Sequence, residues 1–151
     1  MKWTTKGHYS VKALLDLAMS GTQQPASVRA IAQRQNIPAP YLEKLLIDMR
    51  QAGLVRSRRG AHGGYQLTRT PREISLAEIL EAVGDRIEAQ PVDTRGDNDS
   101  GELAEDWVMQ AVWQRIAMRL HQALQDITLE DLYFDARSWQ AAQTEATEFV
   151  V

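Results

Sequence analysis

The stretch "SVRAIAQRQNIPAPYLEKLLIDMRQAG", residues 27–53, constrains the fold more than any other. It carries two apolar stripes at helical spacing with an abrupt break between them. Val28, Ile31 and Ala32 form the first stripe. Leu42, Leu45, Leu46 and Met49 form the second, at the i, i+3, i+4, i+7 positions of one helix face. Ser27 is a good N-terminal cap. Asn36 suits a left-handed turn residue, and Pro38 forbids a single continuous helix. Pro40 is favoured in a first helical turn, and Gly53 supplies a stop. The segment therefore reads as helix, tight break, helix.

A helix precedes it. In "TKGHYSVKALLDLAMSG", Ala13, Leu14, Leu17 and Ala18 share a stripe, with Tyr9 and Ser10 a turn earlier and Gly21 as the stop. After it comes "LVRSRRGAHGGYQLT". Leu54, Val55, Tyr65 and Leu67 predict two short strands around a glycine-bearing loop of about eight to ten residues. Ser75 and Glu78 stand at capping-box spacing before "LAEILEAV", which predicts a short helix closed by Gly84. Pro91 to Asp106 holds six acids and two glycines and reads as an exposed loop or hinge. From about Glu102 to Asp126 runs the longest helical pattern. Met109, Trp113, Ile116, Leu120 and Leu124 lie along one side, widened by Val108, Val112 and Ala123. Such a helix would be about 37 Å long. Thr128 starts a further turn, and the tail beyond Arg137 is weakly patterned. The expected organisation is a compact unit over residues 1–84, an acidic hinge over 85–106, a long helix with its following turn over 107–137, and a tail over 138–151. The fold class is mainly α with a small β-hairpin wing.

Charge divides the chain. Residues 1–70 hold eleven Lys and Arg against three acids, while residues 71–151 hold six against seventeen. A basic half suits a polyanion, because each neutralised phosphate releases condensed counterions. There is no cysteine, which removes disulfides, thiolate catalysis and thiolate-held metal or iron–sulfur sites. No apolar run approaches the roughly 18 residues of a membrane span. The first ten residues contain no apolar stretch, which argues against a secretory signal and for the cytoplasm.

Helix, break, helix and hairpin in this order make a winged helix-turn-helix. A helix fits the major groove with its outward side chains on base edges. Opposite the buried stripe, the second helix of the motif shows Pro40, Lys44, Ile47 and Gln51, flanked by Glu43 and Arg50. Glu43 can accept from a cytosine amino group, and Ile47 can touch a thymine methyl. Lys44, Arg50 and Gln51 can hold phosphates or purine edges. The helix start, Ala39 to Tyr41, can aim N–H groups at phosphate. Glycines let the hairpin approach a narrow groove, and Arg58 and Arg59 at its tip are drawn to the negative potential there.

The segments "TTKGHYSVKALLDLA", "IAQRQNIPAPYLEKLLIDMRQAGLVRSRRGAHGGYQL", "ISLAEILEAV" and "ITLEDL" resemble the Rrf-two (Rrf2-type, IscR-like) family of bacterial winged helix-turn-helix transcription regulators. The resemblance covers roughly residues 1–132. It implies a homodimer on a dyad DNA operator, a long helix that crosses to the partner, and a wing arginine in the minor groove. Carried over, it points to Tyr41 and Glu43 in the recognition helix, Arg59 and Gly60 in the wing, and Lys6 and Tyr9 as amino-terminal backbone contacts. Many relatives hold an iron–sulfur cluster on three cysteines in the loop before the long helix. Here that loop offers carboxylates, with Asp106 or Trp107 at the last cysteine position and Gln110 where a histidine can complete the site. Ala39 and Pro40 replace small hydroxyl residues, and His62 replaces a wing proline.

The other candidates are weaker. His8, His62 and His121 show no metal spacing, and Asp93, Asp97 and Asp99 lack a calcium-loop pattern. "GAHGG" is not a nucleotide loop, and no nucleophile–base–orienter set can be drawn, so no enzyme and no cofactor is expected. The long apolar side, Met109 to Leu124, exceeds what residues 1–84 can cover and predicts a second copy. The rival expectation is a dimeric interaction module whose acidic half docks a protein, with DNA binding secondary. No motif identifies a small-molecule or protein effector.

Overall fold

The computed structural model describes residues 4–21, 24–85 and 103–148. Trp3 and most of the expected acidic hinge, residues 86–102, lie outside them. The described elements are α1 (Thr5–Met19), α2 (Val28–Gln35), α3 (Ala39–Gln51), β1 (Val55–Arg58), β2 (Gly64–Leu67), a 3-10 turn (Pro71–Glu73), α4 (Leu76–Ala82), α5 (Ala104–Asp126) and α6 (Leu129–Glu148). The chain is mainly helical with a two-stranded antiparallel hairpin.

Local chemistry sets the boundaries. Ser27 Oγ accepts from Ala30 N–H at 3.1 Å and starts α2. Asn36 ends it with φ 53° and ψ 51°, the left-handed cap the sequence predicts. Ser75 and Glu78 form the expected reciprocal box: Ser75 N–H donates to Glu78 Oε2 at 2.9 Å and Glu78 N–H donates to Ser75 Oγ at 3.2 Å. Burial raises the Glu78 carboxyl, but the Ser75 amide and Arg69 outweigh it and the net shift is downward.

The core is built by α1, α2 and α3 with the base of the hairpin. Leu14, Ile31, Leu42, Leu46, Met49, Leu54 and Ile79 are fully buried there. Leu129, from the start of α6, is fully buried in the same core. A two-bond bridge carries the chain back to it: Leu76 N–H donates to the Ile127 carbonyl and Leu129 N–H to the Ile74 carbonyl, both at 2.8 Å. The helix pair α1–α2 is further held by Asp16, which is buried and accepts from Arg34 Nε (3.0 Å), Arg34 Nη2 (2.7 Å) and Gln35 Nε2 (2.8 Å).

Two expectations change. The hairpin loop is shorter than its composition suggests, because β1 continues through Arg58. Arg56, Ser57 and Arg58 pair with Gln66, Tyr65 and Gly64, which leaves residues 59–63 as the turn. An exposed edge tolerates arginines in a strand, since their charges stay in water. The tail also differs: α6 runs to Glu148. Thr128 starts it, with Thr128 N–H donating to Asp131 Oδ2 at 2.8 Å and Asp131 N–H returning to Thr128 Oγ1 at 3.2 Å. Its distal half lacks an apolar stripe yet is rich in alanine and glutamine, which favour helix without needing burial.

The hairpin is fixed to the helices by backbone contact. Ala26 N–H donates to the Tyr65 carbonyl, and Tyr65 N–H to the Ala26 carbonyl, both at 2.8 Å. This approach leaves no room at Gly64, where φ is +148° and a Cβ would land on the Ala26 carbonyl. Gly64→Ala should therefore cost more than about 1 kcal/mol of stability. Urea unfolding checks it; a wild-type midpoint would mean that the bridge yields.

Candidate nucleic-acid interface

Burial of Leu42, Leu45, Leu46 and Met49 turns the other side of α3 outward. Ala39, Pro40, Glu43, Lys44, Arg50 and Gln51 are exposed, and Ile47 is half-buried, so it presents only part of its side chain. At the helix start the expectation of several free N–H groups needs correction. Pro40 has none, and Tyr41 N–H donates to the Pro38 carbonyl at 3.1 Å. Of Ala39, Pro40 and Tyr41, only Ala39 retains a free amide among the described contacts.

Tyr41 is half-buried and packs edge-on against Tyr9 of α1, with ring centroids 5.7 Å apart at 84°. This contact joins the amino-terminal helix to the start of α3. Lys6 lies exposed one turn before Tyr9. Thr4 and Asp85 close the same end, with Thr4 Oγ1 donating to Asp85 Oδ2 at 2.7 Å.

The wing adjoins the far end of α3. Arg50 Nη1 donates to Ser57 Oγ on β1 at 3.4 Å, a long bond that nevertheless brings the last turn of α3 beside the hairpin. Every residue from Arg56 to His62 is exposed. Arg58 closes the β ladder opposite Gly64, and Arg59 begins the turn. Gly60 takes φ +117°, a conformation that favours glycine. Gly63 N–H donates to the Gly60 carbonyl at 3.0 Å and closes the tip. Between Asp48 and Glu73 the chain has six arginines and no carboxylate. Arg56 is exposed on the same surface; the sequence places it in the wing loop, and pairing with Gln66 puts it in β1 beside Arg58.

The residues expected for dimerisation divide. Met109, Trp113 and Ile116 are 53%, 45% and 49% exposed, and Leu120 is half-buried. Trp107 and Val112 extend the exposed apolar face. Leu124 instead is buried within the protomer, against Leu76, Ala77 and Leu80 of α4. It anchors the carboxyl end of α5 to the body, because the register of the helix turns that end toward α4. Among the described residues, no cluster of three or more His, Asp or Glu is placed to hold a metal ion. No described helix is long and apolar enough to cross a membrane.

Comparison with known proteins agrees with this geometry. The chain is 58% identical over 151 residues, the full length of both proteins, to a Synechocystis sp. protein with the provisional description HTH-type transcriptional regulator slr0846. Its fold matches that of T. potens IscR with a TM-score of 0.73 and 37% identity, covering 93% of this chain and 91% of that one. It also matches CymR, the global cysteine regulator of B. subtilis, with a TM-score of 0.71 and 34% identity, covering 88% and 96%. The Rrf2 family, described as an iron-dependent transcriptional regulator, matches residues 3–135, and the chain belongs to that family.

Proposed function

We propose that this protein is a sequence-specific, DNA-binding transcription regulator of the cytoplasm, not an enzyme, and that it acts as a homodimer on a dyad operator. The observation that carries the reading is the outward face of α3 joined through Arg50 to an arginine-bearing wing, with no carboxylate between Asp48 and Glu73. In this reading α3 enters the major groove. Glu43 and Lys44 reach base edges, while Ala39, Pro40 and Tyr41 approach the backbone. Lys6, Tyr9 and Arg50 hold phosphates, and Arg58, Arg59 and Gly60 follow the adjacent minor groove.

The dimer reading rests on the exposed apolar side of α5. Met109, Trp113, Ile116 and Leu120 form the seam, with Trp113 as its central aromatic anchor. Two-fold pairing through this helix places two recognition helices about 34–36 Å apart, or a multiple of that, along a duplex. The division at residues 84, 106 and 137 expresses the same idea: a reading unit, a hinge and a joining helix.

The family description names iron. Iron–sulfur clusters are held by thiolates, and this chain has no cysteine. Asp106, Trp107 and Gln110 are the residues at the positions where the resemblance points to ligands. Carboxylate and amide oxygens are hard donors and do not replace thiolates in such a site. The residues present therefore do not fit a cysteine-ligated cluster, and the regulator is proposed to act without one. Anaerobically purified protein should be colourless and scatter as a dimer, and Trp113→Asp should shift it toward monomer. A brown protein with bound sulfide would overturn the first expectation, and a wild-type monomer the second.

The affinity for duplex DNA should fall with salt, with log K declining by about 0.9 per phosphate neutralised. Arg59→Ala should weaken binding and reduce that slope by about 1 per subunit while leaving the dimer intact. Filter binding at two salt concentrations measures both; a flat response would favour the interaction-module reading instead. Glu43→Ala should chiefly relax base preference, by about 1–3 kcal/mol at the position read. Random-site selection returning one motif for both proteins would remove Glu43 as a reader.

A further inference from the structure

One group on the wing is not used by the reading above. His62 occupies the third position of the turn Gly60–Ala61–His62–Gly63, closed by the 3.0 Å bond from Gly63 N–H to the Gly60 carbonyl. It is exposed, and no described residue bonds to it. The charged residues of its own hairpin are all cationic. Arg58 and Arg59 precede it on the same hairpin, Arg56 lies on β1, and Arg50 reaches β1 from α3. No carboxylate occurs between Asp48 and Glu73.

We propose that His62 is a further DNA-binding residue, whose contact is strengthened when its imidazole is protonated. The proposal rests on the DNA-binding reading. Phosphate oxygens, and the adenine N3 and thymine O2 edges of the minor groove, are acceptors only. A neutral imidazole brings one donor and one lone pair to such a surface; an imidazolium brings two donors and a positive charge. The narrow minor groove draws histidine as it draws arginine, through its negative potential. Binding therefore takes up a proton at the wing tip. By linkage, a contact that takes up a proton gains affinity as pH falls and loses it as pH rises. The neighbouring arginines stay charged throughout and cannot produce that dependence.

The test uses the full chain and a fluorescently labelled, A·T-rich duplex at constant ionic strength, read by anisotropy from pH 8 to pH 6. Wild-type affinity should rise roughly five-fold per wing across that range. His62→Gln should match wild type at pH 8 and show no rise. His62→Arg should hold the low-pH affinity at pH 8. His8→Gln and His121→Gln should keep the wild-type slope. Tight wild-type binding without a slope, or a slope that survives in His62→Gln, overturns the proposal and leaves the DNA-binding reading in place. No duplex binding at any pH overturns both.

Discussion

Leu42, Leu45, Leu46 and Met49 are buried almost completely, and each such side chain stabilises the fold by about 1.5–3 kcal/mol relative to exposure. Their common side of α3 is therefore committed to the core. A slip of one residue would rotate the helix by about 100° and bring charged or polar groups inward. The packing constraint thus sets which residues face outward, and with them what the protein can touch. Glu43 and Lys44 are presented because Leu42, Leu45 and Leu46 are not. Tyr41 is the intermediate case: its ring is held edge-on by Tyr9, so α1 helps to shape the start of the recognition surface.

The wing depends on a different force. Its two strands are too short to be stable alone. They persist because the backbone of Ala26 pairs with Tyr65, and because Gly64 permits that approach. Leu54, Val55 and Leu67 add apolar burial at the hairpin base. The result is a rigid stem with an exposed, cationic tip. Burial decreases outward along the hairpin, as charge increases. That gradient lets one element belong to the core at one end and to a polyanion surface at the other.

The carboxyl-terminal half divides its apolar residues between two tasks. Leu124 and Leu129 return to the protomer, one against α4 and one into the main core. Trp107, Met109, Trp113 and Ile116 remain exposed on the part of α5 that extends away from that anchor. These exposed apolar side chains are the surface on which the proposed pairing rests. Anchoring α5 at its carboxyl end fixes the direction of the exposed face relative to α3. A paired copy would then have a defined separation of reading heads, which is the geometric requirement for a dyad site.

Much of this was written in the order of residues. The stripe of α3, the Ser27 cap, the left-handed Asn36, the Ser75–Glu78 box and the glycine-bearing hairpin are all local, and local spacing is enough to read them. The arginine-rich stretch and the missing cysteines are likewise visible without coordinates. What only the tertiary structure decided depends on contacts between distant residues. Whether Arg56 lies in a loop or a strand is set by pairing with Gln66. Whether Leu124 joins a seam or a core is set by the position of α4, and the alanine-rich end of α6 has no stripe from which periodicity could identify it. Spacing along a chain fixes which residues share a face; only the neighbour across the gap determines what that face meets.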